Sequence, residues 1–208
     1  MIEKIKKLLN NPDKFFDKLV KENDIVEHLK FYLILAAFYT FFFGIYYAGD
    51  ITETTVSMGF LIISIVLMMV FIYIMNTAWI FINSAIFYLF LLLFQPKGNY
   101  QKTFNVFVYS YVPVLVFFPF IFIIGILTML IPQTTIVMII DIVLVLIMLG
   151  ILIYTIYLNL LGQSKAHKIE KWKVFVAGYV IPFVIFFVLA LLLTFFIIGL
   201  SSLFSTAI

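Results

Sequence analysis

The sequence predicts an all-α membrane protein, a five-span transmembrane helix bundle preceded by an amphipathic helical segment. Of the 208 residues, 65% are hydrophobic and 11% are charged, and the mean hydropathy is +1.23, whereas a soluble domain is about 45–50% apolar. The apolar runs are long enough to cross a bilayer as helices and lack the two-residue alternation of outer-membrane strands. The third observation is the placement of the lysines, which decides the number of spans.

The first 24 residues are expected to form one or two short amphipathic helices. In the stretch NNPDKFFDKL, Asn11 is placed as an N-cap and Pro12 as the first helical residue. Phe15 and Phe16 continue an apolar stripe that lysines flank. Two interpretations remain open. The helices lie on the membrane surface with their lysines near anionic lipid, or they form a solvated tail that packs on the bundle.

Five apolar runs follow, at about residues 25–47, 58–94, 103–131, 135–161 and 172–200. Asp24, with Glu27 three residues later, has the spacing of a capping box and is expected to start the first spanning helix. The second run is long enough for one long helix or for two short spans separated near Asn76. No Gly or Pro lies near Asn76 to form a turn, which favours one helix.

The lysines predict five spans rather than six. The chain has no arginine, and with one long second helix every lysine falls in the N-terminal region through Lys30, in residues 95–102 or in residues 162–173. These three stretches then lie on one side of the membrane. Because lysine-rich connections stay in the cytoplasm, the N-terminus is expected inside and the C-terminus outside. A split second run would place Lys97 and Lys102 on the opposite side.

Motifs for phosphate binding and zinc protease chemistry are absent from the sequence, as is cysteine. We therefore expect no catalytic residue, no cofactor, no metal site and no enzymatic activity. The two histidines, His28 and His167, lie in different segments near the inner surface and are expected to be solvated. No aromatic-interleaved basic patch indicates a nucleic-acid partner.

Asn76, Asn83 and Asp141 form a candidate intramembrane polar site. Asp141 is the only acidic residue well inside a span, at about 9 Å from the outer end of its helix, and such carboxylates serve either ion coupling or a structural, snorkelling role. Asn76 and Asn83 are seven residues apart on one helix side. They are expected either to hydrogen-bond across helix contacts or to line a substrate cavity.

Three prolines, Pro113, Pro119 and Pro182, fall inside the third and fifth spans. A proline inside a helix frees a backbone carbonyl and bends the helix. Such bends serve helix packing or mark transporter sites. Ser110 is expected to hydrogen-bond a backbone carbonyl near Pro113, and Tyr109 is expected near the inner interface, where tyrosines are frequent.

Three stretches resemble the Yip domain family, membrane proteins first described as Ypt/Rab interactors: LLNNPDKFFDKL, GNYQKTFNVFVYSYVPVL and GQSKAHKIEKWKVFVAGYVIP. The resemblance implies five spans with a cytosolic N-terminus and a short outer C-terminus. It divides the chain into a cytoplasmic amphipathic segment, residues 1–24, and a Yip-like membrane domain, residues 25–208. The motif positions are Pro12, Phe15, Phe16, Gly98, Tyr100, Thr103, Phe104, Tyr109, Ser110, Pro113 and Pro182.

Eukaryotic members of that family work in vesicle trafficking and bind lipidated Rab GTPases. This sequence lacks their Asp-Leu-Tyr-Gly-Pro motif and long N-terminal region, and is similar instead to the short prokaryotic branch. That implies the cytoplasmic membrane of an archaeon or bacterium. We expect a non-enzymatic organiser or scaffold that acts at the inner face. Its expected partners are the lipid bilayer, anionic lipid, and related membrane proteins in a homo- or hetero-oligomer. The alternative is a small transporter or channel with its site near Asn76, Asn83 and Asp141.

Overall fold

A computed structural model describes residues 1–22, 24–51, 58–129, 131 and 135–205, and these residues form helices without a strand. The helices are α1 (Ile2–Asn10), α2 (Pro12–Leu19), α3 (Ile25–Ile51), α4 (Met58–Leu91), α5 (Tyr100–Ser110), α6 (Val112–Met129), α7 (Thr135–His167), α8 (Lys171–Phe175) and α9 (Ile181–Ser205). A short 3-10 helix, Leu92–Phe94, extends α4, and a π-helical turn, Val176–Val180, joins α8 to α9.

Five helical stretches are long and apolar enough to cross a membrane, which confirms the predicted number of spans. They are Ile25–Tyr47, Gly59–Phe94, Tyr100–Thr128, Thr135–His167 and Lys171–Ile198. The second is one continuous helix through Asn76, as the lysine placement predicts. The Asn76 side chain stays within its own helix, because its amide donates to the carbonyl of Ile72 at 3.0 Å.

The predicted helix starts are present. The side chain of Asn11 accepts a hydrogen bond from the backbone N–H of Lys14 at 3.1 Å, and Pro12 is the first residue of α2. Asp24 Oδ1 accepts from the backbone N–H groups of Val26 and Glu27, each at 3.0 Å. These side chains occupy donors that the first helical turn leaves without a backbone partner.

The third and fifth spans are irregular beside their prolines. Tyr111 separates α5 from α6 just before Pro113, and Pro119 lies inside α6. In the fifth span, the N–H of Ile181 donates to the carbonyl of Val176, five residues back. Pro182 has no N–H and cannot bond four residues back. The π-helical turn is the local adjustment to that loss.

The N-terminal helices pack on the bundle. Leu8 and Phe16 have no solvent exposure and Leu19 has 2%. Lys165 of α7 forms ion pairs with Asp13 at 2.9 Å and Asp17 at 2.8 Å. These buried side chains therefore agree with the interpretation in which the segment packs on the bundle, because other parts of the protein cover them.

The lysine-bearing stretches gather at one end of the bundle. The backbone N–H of Lys97 donates to the carbonyl of His167 at 3.0 Å, which joins the connection after the second span to the end of α7. The Lys165 pairs bring α2 to the same place. We call this region the lysine end, defined as residues 1–22, 95–102 and 162–173. The side of the membrane on which it lies stays a prediction.

Away from the lysine end, apolar side chains are exposed. Every side chain of residues 183–198 in α9 is exposed, on all sides of the helix. Large apolar side chains along α4 and α7 are exposed as well, among them Phe71, Leu89, Ile139 and Ile153. A helix that is apolar all round needs an apolar surrounding. The protein is therefore an integral membrane protein whose spans contact the lipid bilayer directly.

Candidate functional site

Beneath the N-terminal helices, His28 of α3 and Tyr109 of α5 form a buried pair. The Tyr109 hydroxyl lies 3.0 Å from His28 Nδ1, and His28 Nε2 lies 3.6 Å from a carboxylate oxygen of Glu22. The rings of Phe15 and Phe31 pack on Tyr109, with centroid distances of 4.9 and 5.0 Å. The segment 1–22 thus seals a polar contact between two spans.

A second buried pair joins α5 to the end of α7. Thr103 Oγ1 lies 2.7 Å from His167 Nε2, and the Gln163 amide donates to the Thr103 carbonyl at 3.2 Å. Gly98 permits this packing, because a Cβ there would lie 2.6 Å from the Ala166 carbonyl oxygen and 2.7 Å from His167 Nδ1.

The expectation of solvated histidines is wrong. His28 and His167 are both without solvent exposure. Each lies near the end of a span, as the sequence indicates, but other segments cover it. Phe15 of α2 packs on Tyr109, the partner of His28, and Glu22 lies beside the His28 ring. Gly98, in the connection after the second span, packs on His167. Tyr109, expected near the interface, is likewise only 1% exposed.

The remaining motif residues on α5 pack against neighbouring helices. The Tyr100 hydroxyl lies 3.1 Å from Ser84 Oγ, and Phe104 is fully buried and stacked on Phe81 at 4.7 Å. Ser110 donates to the carbonyl of Val106 at 2.8 Å, which confirms the predicted bond to a carbonyl. The motif therefore builds the contact between the second, third and fourth spans at the lysine end.

Residues of α1 and α2 line an open groove at the protein surface, which we call the lysine groove. It measures about 550 Å³ and is lined by Glu3, Lys6, Lys7, Asn10, Asn11, Lys14, Phe15 and Lys18. Lys7 lies 3.6 Å from Glu3, and Lys6, Lys14 and Lys18 form no ion pair with the described residues. Four cationic side chains thus face a single carboxylate.

A further ion pair fixes α1 beside the groove. Lys4 Nζ lies 2.5 Å from the Glu27 carboxylate at the start of α3. Partial burial lowers the pKa of Lys4, but the hydrogen bond and charge of Glu27 outweigh it, so that the pKa lies above its ordinary value. Lys4 is therefore charged at neutral pH and ties α1 to the first span.

The structure does not bring Asn76, Asn83 and Asp141 together at one cavity. Asn83 lines a cleft of about 400 Å³ with Thr155 and Asn159 of α7. Asp141 is exposed and lines a different cleft, of about 500 Å³, beside Thr128. Asn76 lines neither cleft. Their functional role stays a prediction.

Three polar residues on α7, Thr155, Asn159 and Gln163, are not among the candidates that the sequence predicts, and they form a row with His167. Thr155, Asn159, Gln163 and His167 follow one another at four-residue spacing, so they form one row along the helix. We call them the polar row. All four are buried, and Thr155 Oγ1, Asn159 Oδ1 and Gln163 Oε1 have no hydrogen-bond partner among the described residues. The spacing is visible in the sequence and was the available signal.

Among the described residues, no group of three or more His, Cys, Asp or Glu could hold a metal ion. A family model, the Yip1 domain, matches residues 6–203 of the chain. No curated protein and no solved structure matches significantly. The match spans both the N-terminal helices and the five spans.

Proposed function

Since the chain belongs to the Yip1 domain family, we propose that it is a non-enzymatic membrane organiser that works through its lysine end. The lysine groove contacts anionic lipid headgroups or acidic segments of partner membrane proteins, including related family members in an oligomer. This contact takes place at the cytoplasmic face of a prokaryotic cell membrane.

The observation that carries this proposal is that the lysine groove is held in place. The buried side chains of Leu8 and Phe16 and the ion pairs of Lys165 anchor α1 and α2 to the bundle. A cationic surface that is already ordered loses little conformational entropy on binding. Each lysine near an anionic membrane surface contributes about 1 kcal/mol of attraction.

The location of the groove supports an inner-face role. The three lysine-bearing stretches gather at one end of the bundle, and lysine-rich connections stay on the cytoplasmic side during insertion. The same end carries the inward-facing motif residues, such as Gly98 and Thr103, that join the spans. Phe16, a motif residue of α2, is fully buried beside Gly162 of α7 and so helps to position the lysine groove.

The test compares two variants with the same change in net charge. One replaces Lys6, Lys7, Lys14 and Lys18 with Gln. The control replaces four exposed lysines at or near the lysine end but outside the groove, Lys30, Lys97, Lys168 and Lys171, with Gln. Each protein is crosslinked in native membranes and purified in mild detergent, and the proteins and lipids that copurify are quantified by mass spectrometry.

The groove variant is expected to lose its most enriched protein or anionic lipid, while the control retains it. Loss of protein identifies the partner class as protein, and loss of lipid identifies it as lipid. If both variants keep the same copurifying molecules as the parent, or if both lose them equally, the groove is not the contact surface.

The alternative function, a small transporter or channel, has weaker support. It requires the polar residues of the spans to line a common path. Asn83 and Asp141 instead line different clefts, and Asn76 lines neither. Uptake or flux that depends on Asp141 in reconstituted vesicles would favour this alternative over the organiser.

A further inference from the structure

A cleft of about 400 Å³ opens within the membrane-spanning part of the bundle, between α4, α7 and the π-helical turn. Its rim includes Ile86, Leu152 and Ile156, which are 45, 43 and 38% exposed. These side chains lie in spans that contact lipid, so the cleft is open to the bilayer. We call it the membrane cleft. It lies apart from the lysine groove, and the inference from it does not rest on the proposed function.

Two members of the polar row, Thr155 and Asn159, line the membrane cleft. They are 8 and 3% exposed, and Thr155 Oγ1 and Asn159 Oδ1 have no hydrogen-bond partner among the described residues. A helical threonine ordinarily bonds the carbonyl one turn back, as Thr77 does here at 2.9 Å. Thr155 departs from that pattern. Because buried polar atoms are nearly always paired, these two atoms indicate a missing partner.

The depth of the membrane cleft limits what that partner is. Asn159 lies eight residues from the end of α7 at His167, about 12 Å along the helix axis. Because residues 162–167 belong to the lysine end, Asn159 lies only about 4–5 Å and Thr155 about 10 Å inside the membrane-spanning part of α7, near the inner edge of a hydrocarbon core that is about 30 Å thick. The residues lining the cleft include no charged side chain. An ionic headgroup would therefore be desolvated there without a counter-charge.

Water alone is a poor occupant for most of this volume. Phe87, Phe107 and Val114 form an apolar part of the lining, and apolar cavity walls stay dry. The occupant must bring hydrocarbon for these walls and a hydrogen-bond donor for Asn159 Oδ1. In a membrane, an uncharged lipid with a hydroxyl group close to its chain combines both properties.

We propose that the membrane cleft binds an uncharged hydroxyl-bearing lipid, such as a long-chain alcohol or an acylglycerol. Both oxygens have almost no exposed surface in the structure, so the two side chains turn toward the cleft when the lipid binds. The lipid hydroxyl then donates a hydrogen bond to Asn159 Oδ1 and accepts one from the Thr155 hydroxyl. The chain lies along the apolar lining and leaves the cleft past Ile86 and Ile156 into the bilayer.

The experiment uses the full protein in lipid nanodiscs and two photoactivatable probes. One is a sixteen-carbon alcohol with a diazirine on its chain. The other is the methyl ether of the same molecule, which keeps the oxygen as an acceptor but has no O–H to donate. Crosslinked residues are mapped by mass spectrometry. In the parent protein, labelling of residues that line the cleft is expected to be about fivefold stronger with the alcohol, which corresponds to one hydrogen bond.

Two variants separate the two hydrogen bonds. Asn159→Leu is expected to abolish the preference for alcohol over ether, because the acceptor is gone. Thr155→Val is expected to lower labelling by both probes, because both oxygens accept from that hydroxyl. Thr77→Val, whose hydroxyl bonds to its own helix outside the cleft, is the matched control and should label like the parent.

Equal labelling of the parent by alcohol and ether would overturn the proposal, and it is the result expected of a cleft that holds only water or hydrocarbon. Labelling that maps away from the cleft, or that is unchanged in Thr155→Val, would also overturn it. The elution profile and thermal unfolding of each variant show whether it is folded. If Asn159→Leu is not, the isosteric Thr155→Val variant and the probe comparison in the parent decide.

Discussion

The Tyr109 hydroxyl lies 3.0 Å from His28 Nδ1, so a hydrogen bond between two buried side chains joins the third span to the first. The two residues are 81 positions apart in the chain. The contact requires α3 and α5 to lie side by side, and Phe15 of α2 packs on the Tyr109 ring. It therefore reports on the assembly of the lysine end, and its loss should affect the whole region.

Tyr109→Phe is expected to lower the free energy of unfolding by about 1–3 kcal/mol, because it leaves a buried histidine nitrogen without its partner. Thermal unfolding of the purified protein in detergent measures the effect. Tyr47→Phe is the control, since Tyr47 is 38% exposed near the other end of α3. Equal midpoints for the two variants would show that the hydrogen bond adds nothing to stability.

Gly98→Ala is expected to destabilise the protein by about 1–3 kcal/mol, the usual cost of overpacking. The added Cβ would lie 2.6 Å from the backbone carbonyl of Ala166, which cannot move as a flexible side chain would. Gly150→Ala has nothing within 4 Å of the added atom and should leave the unfolding midpoint unchanged or slightly higher. An unchanged midpoint for Gly98→Ala would contradict this packing.

In the N-terminal segment, Phe16 is fully buried, whereas Phe15 is only half-buried. The prediction therefore concerns Phe16. Phe16→Ala is expected to cost about 3–5 kcal/mol of stability through the cavity it leaves. Phe71→Ala, at a position 63% exposed on a span, is the control. Thermal unfolding separates them, and a Phe16→Ala midpoint as high as that of Phe71→Ala would show that α2 does not pack on the bundle.

Lys165→Met should loosen the N-terminal helices without unfolding the spans. The side chain pairs with Asp13 and Asp17 at once and is only 19% exposed, so roughly 1 kcal/mol or more of docking energy is expected to be lost. Hydrogen exchange measured by mass spectrometry should become several-fold faster in residues 2–19. Lys30→Met, at an exposed lysine without an ion pair among the described residues, provides the comparison. Exchange as slow as in that control would mean that α2 docks without Lys165.

The membrane architecture could be predicted because its signals are sums over many residues. A hydropathy average over about 20 residues changes little when one residue is misjudged. The lysine count likewise compares whole connections, and it correctly gave one uninterrupted α4. Local chemistry gave the helix starts at Asn11 and Asp24, because a capping side chain bonds residues only two or three positions away.

The buried polar contacts could not be predicted in the same way. Thr103 and His167 are 64 positions apart, and their pairing depends on how two spans and a short connection pack together. A histidine near the end of a span has the same sequence environment whether or not another segment covers it. The polar row on α7 is different. Its four-residue spacing was readable, but each polar residue taken singly resembles ordinary variation in a long apolar run.

The candidate intramembrane site shows a related limit. Asn83 and Asp141 are both polar residues in apolar spans. They were assigned to one candidate site for that reason alone. The structure assigns them to different clefts, because a residue's neighbours across helices depend on the direction in which its side chain points. Asn83 instead shares its cleft with Thr155 and Asn159.

The π-helical turn Val176–Val180 has a consequence for the angular phase of the fifth span. An α-helix rotates by about 100° per residue. The extra residue of the π-helical turn therefore rotates α9 about its axis by about that angle relative to α8. Phe87 fixes the turn by packing against Gly178, where a Cβ would lie 1.9 Å from its ring. Residues 183–198 are exposed on all sides of the helix, so removing one residue from the turn would rotate these side chains without breaking a contact with another helix. The turn therefore sets the direction in which each side chain of this span faces the bilayer, and a change of one residue there would leave the contacts of the lysine end in place.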